Sequence, residues 1–154
     1  MENHTMDDMD WAIARELQQD ARLSYSEVSR RVHLSAPAVA ERVRRLEDAG
    51  IITGYHAHVE SSKVGWAVPA FIRMSCFGPR CLLNNPQVKD WPGVREIHRI
   101  TGDECCILKI ETASIQEFQT LIDRLSGYGR PTSTMVLATY LDWHPVTPVR
   151  PVEE

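Results

Sequence analysis

The chain has little that would mark it for a membrane, for export or for covalent chemistry. No run of about 18 apolar residues occurs in its 154 residues, so no segment is expected to span a bilayer. The first residues, Met1-Glu2-Asn3-His4-Thr5-Met6-Asp7-Asp8, are acidic and short, unlike a secretory or transit signal, and a cytoplasmic protein is expected. Cysteine is scarce. Cys76, Cys81, Cys105 and Cys106 match no zinc-ligand spacing and no secreted disulfide framework, so ordinary buried thiols are expected, with no metal site. Cys105 and Cys106 are adjacent, and on a strand they would point to opposite faces. No nucleophile stands with a base at a recognisable spacing, which argues against an enzyme, including a thiol oxidoreductase built on Cys105, Cys106 and His98. Trp11, Trp66, Trp91 and Trp143 are scattered and form no stacking array for single-stranded nucleic acid.

Positive charge is not in excess either: 17 Lys+Arg face 21 Asp+Glu, a formal net charge of −4 that argues against indiscriminate coating of nucleic acid. The average conceals a segregation. Residues 1–21 carry six acids and one Arg, whereas residues 22–45 carry six Arg (Arg22, Arg30, Arg31, Arg42, Arg44, Arg45) and two Glu. From residue 60 onward 10 basic and 11 acidic side chains nearly cancel. A compact Arg cluster on an acidic chain is a local footprint of the kind that pairs with phosphates, or else a solvated face with intrahelical ion pairs.

Around that cluster the spacing predicts three short helices. Met9, Ile13 and Leu17 make one apolar stripe, with Asp7 and Asp10 placed to cap its start, and the helix should end near Gln19 before an Asp20-Ala21-Arg22 turn. Ser24-Tyr25-Ser26-Glu27 has capping-box spacing and opens a two-turn helix with Val28 and Val32 inside. Ser35 caps the third, with Pro37 in the first turn, a stripe of Val39, Val43 and Leu46, and Gly50 as the stop. Its front would carry small Ala36 and Ala38 beside Arg42 and Arg45, letting the helix approach another surface closely. Two short helices joined at His33-Leu34 form a helix-turn-helix, and Ile51-Ile52-Thr53-Gly54-Tyr55 suits a short strand or wing. Double-stranded DNA is the partner this arrangement suggests.

The stretch Met6-Asp7-x-x-Asp10, Ile13, Glu16-Leu17-Gln18-x-Asp20-Ala21-Arg22, Ser35, then Glu41-Arg42-Val43-Arg44-Arg45-Leu46-Glu47 and Gly50-Ile51-Ile52-x-Gly54-Tyr55 resembles the Lrp/AsnC, or feast/famine, family of transcriptional regulators. The resemblance runs nearly without gaps from residue 6 to 56.

The second half reads as a small sandwich. Strands are expected around Val68, Ala70, Ile72 and Met74, then over Val94 to Ile100 and Cys106 to Ile110 as a hairpin about Thr101-Gly102-Asp103, and finally from Ser133 to Leu141. Leu82, Leu83, Val88 and Trp91 suggest a short helical piece interrupted at Asn84-Asn85-Pro86. Ser114-x-x-Glu117 caps a helix with Ile115, Phe118, Ile122 and Leu125 inside, ending at Gly127. The expected fold is α+β: a winged helix-turn-helix domain over 1–60, then a ferredoxin-like βαββαβ domain over 64–154. One sheet face would be bare and apolar, inviting self-association. The tail from Trp143 to Pro151 is expected to be loose or partner-bound.

The resemblance implies that this half senses a ligand and dimerises face to face, with dimers joining into tetramers or octamers. Thr101-Gly102-Asp103 is similar to the start of that family's G-D-x-D loop, near which amino-acid effectors bind between dimers, with Cys105 where the second acid stands. Thr101, Gly102, Asp103, Cys105 and Thr134 are thus candidate effector residues. A glycine turn can offer N–H groups to a carboxylate, and Asp103 can hold an ammonium. For DNA, Ser35, Ala36, Pro37, Ala38, Arg42 and Arg45 are candidates for the major groove, and Arg22, Arg30, Arg31 and Arg44 for phosphates. No cofactor is expected beyond the effector. Two other readings stay open: an architectural DNA-binding protein indifferent to small molecules, and a redox-responsive regulator using Cys105 and Cys106.

Overall fold

A computed structural model describes residues 5–149. The chain divides into two compact units, one running to His58 and taking in the stretch from Leu141 onward, the other covering Val59–Tyr140. No helix among the described residues is long and apolar enough to cross a membrane.

The first unit is built on three helices whose starts are written locally. α1 (Asp8–Gln19) begins at Asp7, whose side chain accepts the Asp10 N–H while the Asp10 carboxylate accepts the Asp7 N–H. α2 (Tyr25–Val32) has the same reciprocal cap from Ser24 and Glu27, and α3 (Ala36–Asp48) starts at Ser35, which accepts the Ala38 N–H, with Pro37 in its first turn. Ile13, Leu17, Val28, Val32, Val39 and Val43 close one core, and Leu46 is equally buried. Met9, expected in the α1 stripe, is exposed. The buried α1 positions are Asp10, Ile13, Ala14 and Leu17.

The wing does not form as a strand. Gly50 turns the chain at φ +69, and the N–H groups of Ile51 and Ile52 both return to the Leu46 carbonyl, at 2.9 and 3.1 Å. Donors used to close the end of α3 are not available to a ladder. Ile52 packs against the helical core instead.

The second unit holds a four-stranded antiparallel sheet in the order β2-β3-β1-β4, from β1 (Val68–Cys76), β2 (Val94–Arg99), β3 (Cys106–Thr112) and β4 (Gly129–Met135). α4 (Ile115–Ser126) links β3 to β4 from its Ser114 cap. This is the ferredoxin-like order, with one substitution. Where a first helix was expected, three 3-10 turns (Gly78–Arg80, Leu82–Asn84, Pro86–Asp90) follow β1. Proline at 79 and 86 prevents a continuous helix there. Ala70, Ile72 and Met74 of β1 and Cys106, Leu108 and Ile110 of β3 meet Leu82, Val88, Trp91, Leu121 and Leu125 in the core. Ile115 is exposed, and Leu121, which the expected stripe did not include, is buried.

The last strand lies earlier than its pattern suggested. β4 runs antiparallel to β1 from Gly129 opposite Cys76 to Met135 opposite Ala70, and the Val136 N–H makes a last bond to Pro69. Leu137 is then 98% exposed and Leu141 is also out in solvent. The β1 edge ends there, and an alternating pattern without a partner edge makes no strand.

Opposite the core, the sheet face is not an apolar plane. Phe71 and Ile107 share it with Arg73, Lys109, Glu96, His98, Thr132 and Thr134, with Lys109–Glu96 at 3.4 Å and His98–Glu96 at 2.9 Å. The His98 hydrogen bond, assisted by Lys109, holds the Glu96 carboxyl below its usual value. The segment from Leu141, assigned to the second half by the boundary at 64, groups with the helices. Val146 exchanges two hydrogen bonds with the Gln18 side chain, at 2.7 and 3.0 Å, and Asp142 lies 3.1 Å from His58.

Candidate nucleic-acid interface and effector loop

α2 and α3 are joined by a tight turn at His33, whose φ of +56 is left-handed and whose N–H reaches the Ser29 carbonyl. Leu34 adds a second bond to the same carbonyl at 3.0 Å. The turn thus closes α2 and presents Ser35 directly as the cap of α3. The first turn of α3 is small and accessible: Ser35 and Pro37 are exposed, Ala36 and Ala38 half-buried. With 13 residues the helix is about 20 Å long.

The arginines divide into distinct sets. Arg42 is not presented to solvent as the helical wheel suggested. Its Nη1 donates to Asp7 Oδ2 at 2.8 Å and to Asp10 Oδ1 at 2.7 Å, and its side chain is 24% exposed. Asp10 is 3% exposed, so Arg42 joins the α1 cap to α3. The Asp10 N–H and then Arg42 hold the Asp7 carboxyl below its usual 3.8, and Asp7 and Asp10 push the Arg42 guanidinium up. Arg45 sits one turn on, exposed, only loosely associated with Asp10 at 3.9 Å. Arg31 pairs with Glu16 at 2.9 Å and Arg44 with Glu41 at 2.6 Å, both exposed. Arg30 donates to the Ser26 carbonyl of its own helix, and Arg22 uses its backbone N–H on Asp20.

The β2–β3 loop carries Thr101, Gly102 and Asp103 on the surface, with Gly102 at φ +109 and open space where a Cβ would stand. Glu104, which drew no attention in the sequence, lies 3.7 Å from Arg73. The other two candidates do not join the loop. Thr134 stands opposite Phe71, three positions along β4 from Pro131 at the loop end, so roughly 10 Å separate them along the strand. Cys105 turns inward, its N–H 2.7 Å from the Met74 carbonyl and its sulfur bonded to Cys76. The cysteines therefore depart from the expectation of separate buried thiols. Cys105 pairs with Cys76 and not with Cys106, while Cys81 and Cys106 are free thiols beside them. Burial, with Cys81 as the lesser cause, pushes the Cys106 thiol up to about 11.

Two family models match this chain: the AsnC-type helix-turn-helix domain over residues 6–47, and the Lrp/AsnC ligand binding domain over residues 85–146. The chain belongs to the Lrp/AsnC family. It is 40% identical over 135 residues to the HTH-type transcriptional regulator YezC of Bacillus subtilis, covering 87% of this chain and 95% of that one. The structure of B. subtilis LrpC superposes with a TM-score of 0.84 at 30% identity, covering 90% and 99% of the two chains. The feast or famine regulatory protein Rv3291c of Mycobacterium tuberculosis, complexed with L-methionine, superposes with a TM-score of 0.84 at 31% identity, covering 92% and 100%. The chain is thus a helix-turn-helix transcriptional regulator of the Lrp/AsnC type, with a ferredoxin-like second domain.

Proposed function

We propose that α3 is the reading helix of this regulator, entering the major groove with Ser35, Ala36, Pro37 and Ala38 leading and Arg45 as its base-contacting cation. The observation that carries this reading is the pairing pattern of the arginines. Arg45 is exposed and only loosely paired, whereas Arg42 is committed to Asp7 and Asp10. Arg42 accordingly holds α1 against α3 and sets the angle of the reading helix. Arg22, Arg30 and Arg31 serve phosphates, and Arg44 can exchange its exposed partner Glu41 for phosphate at little cost, since exposed ion pairs contribute about 0–1 kcal/mol.

The second domain senses an amino acid at the Thr101-Gly102-Asp103 loop. Support comes from the ligand-binding-domain match and from the L-methionine carried by the M. tuberculosis relative. In this reading the assembly is a dimer or a higher oligomer, so that the loop of one copy faces another. Two reading heads related by a two-fold axis then address half-sites about 34–36 Å apart, or a multiple of that spacing. A ligand that favours one assembly shifts DNA affinity by its differential affinity for the two states.

Footprinting on the chain's own upstream DNA, with and without each of the twenty amino acids, tests both parts. A protected, periodically spaced site that changes with one amino acid supports the reading. Protection indifferent to all twenty indicates an architectural DNA-binding protein, and no sequence preference at all overturns the groove assignment.

A further inference from the structure

The four cysteines come from two stretches of the second unit, and Cys76, Cys105 and Cys106 gather together with Cys81 against Cys76 and Cys105. Cys76 closes β1, Cys81 follows the 3-10 turn Gly78–Arg80, Cys105 ends the β2–β3 loop, and Cys106 opens β3. Cys81 Sγ lies 2.8 Å from Cys76 Sγ and 3.8 Å from Cys105 Sγ, and Cys105 and Cys106 Sγ are 3.8 Å apart. The sulfurs of Cys76, Cys105 and Cys106 all lie within 4.8 Å of one another. A disulfide accounts for two of these sulfurs and leaves Cys81 and Cys106 crowded against it without a role. A tetrahedral set of sulfurs about 2.3 Å from a zinc-sized cation has edges of about 3.8 Å, the separation found here for two of the pairs.

We propose that Cys76, Cys81, Cys105 and Cys106 form a tetrathiolate site for one soft divalent cation of the zinc class, and that the Cys76–Cys105 disulfide is the oxidised, cation-free state of the same cluster. The two states interconvert in balanced steps. A dithiol reductant delivers two electrons and two protons to the Cys76–Cys105 bond, giving two thiols and itself becoming a disulfide. One divalent cation then displaces four protons and forms four metal–sulfur bonds. The resulting centre carries two negative charges. Two arginines with no carboxylate partner among the described residues stand close in the chain or the sheet: Arg80, next to Cys81, and Arg99, opposite Cys106 in the β2–β3 register.

Four protein ligands leave no open coordination position, so the cation would be structural and not catalytic. Its structural effect falls on the loop. Cys105 follows Thr101-Gly102-Asp103-Glu104 directly, and the cation would pin the end of that loop to β1 and to the turn before Leu82. All four ligands are soft, which selects zinc-class ions over magnesium or calcium.

The test uses the full-length chain, reduced with a phosphine and held without oxygen, titrated with Co2+ as a spectroscopic stand-in for zinc. Expected is an intense thiolate-to-cobalt band with tetrahedral d–d absorption, saturating at one ion per chain and abolished by added Zn2+. Cys81→Ser and Cys106→Ser, each with wild-type circular dichroism, should weaken Co2+ binding by about tenfold or more. Alkylation followed by mass measurement gives an independent reading: Cys76, Cys81 and Cys105, none of them fully buried, react in the reduced apo chain and are protected in the loaded one. The absence of a thiolate–cobalt band in the reduced wild type overturns the site. So does unchanged affinity in both serine variants, or undiminished reaction of Cys76, Cys81 and Cys105 with metal present.

Discussion

Arg42 donates across 2.7 Å to Asp10, a carboxylate that is 3% exposed, although 32 residues separate them. The same nitrogen reaches Asp7 at 2.8 Å, so one guanidinium closes the cap of α1 onto the face of α3. An acidic pair that looks like a local cap is therefore also the partner of a basic residue on α3. The cluster of positive charge is in this respect smaller than the sequence count implies.

Arg42 and Arg45 should consequently fail in different ways. Removing one partner of a fully buried pair costs about 3–5 kcal/mol, and the partial exposure of Arg42 reduces this, so Arg42→Ala is expected to destabilise by about 2–3 kcal/mol. Arg45→Ala is expected to change stability by no more than about 0.5 kcal/mol. Its loss should instead weaken specific DNA binding, with about 1–3 kcal/mol less discrimination at one base position. Denaturant unfolding beside binding titrations on matched and mismatched sites reads both. Equal stability of the two variants would show that the Asp10 contact is not structural.

Acidification acts on the same joint. The Asp7 carboxyl is held below its usual 3.8 by the Asp10 N–H and by Arg42, and Glu27 below its usual 4.5 by the Ser24 hydroxyl. A carboxyl depressed in the folded state adds stability that is fully present above its unfolded value and disappears as the pH falls through the folded one. The melting temperature of the helical unit should thus hold steady down to about pH 5 and fall below about pH 4. In Asp7→Asn the plateau should be lower and the acid fall shallower. A melting temperature that rises on acidification would contradict the sign.

The elements with short-range causes were legible in the sequence. Asp7 with Asp10, Ser24 with Glu27, and Ser114 with Glu117 are caps set by neighbours three residues apart, and each appears where its spacing placed it. What depended on distant partners was not legible. β4 is positioned by the length of the β1 edge, so its alternating residues beyond Met135 do not form a strand. Ile51 and Ile52 have strand-forming side chains, yet their N–H groups are taken by Leu46. The meeting of Cys76 and Cys81 with Cys105 and Cys106 needs the hairpin and the turn after β1 together. The spacing along the chain contains neither distance.

Gly93 gives a test of the sheet independent of any function. Its φ is +84, and a Cβ there would collide with the Glu111 carbonyl, whose own N–H donates to the Gly93 carbonyl at 2.8 Å. Backbone at this point can relieve neither problem without opening the β2–β3 edge. Gly93→Ala combines a left-handed conformation with a steric clash, and a loss of about 2–4 kcal/mol is expected. A loss under about 0.5 kcal/mol would mean that the bend before β2 is looser than described.

The tail offers a separate handle on the helical unit. Gln18 presents its amide as a strand would, the Nε2 donating to the Val146 carbonyl and the Oε1 accepting the Val146 N–H. These bonds are exposed, so together they should contribute only about 1 kcal/mol, which corresponds to about a fivefold change in how often the segment is open. Under conditions where opening is fast, Gln18→Ala should therefore raise the rate of proteolytic nicking after residue 141 about fivefold and leave cleavage within β1–β4 unchanged. Gln18→Glu keeps the acceptor and loses the donor, and an intermediate rate is expected. If neither variant alters cleavage, the pairing with Val146 does not hold the tail in solution, and its association with the helices must come from the other contacts of residues 141–149.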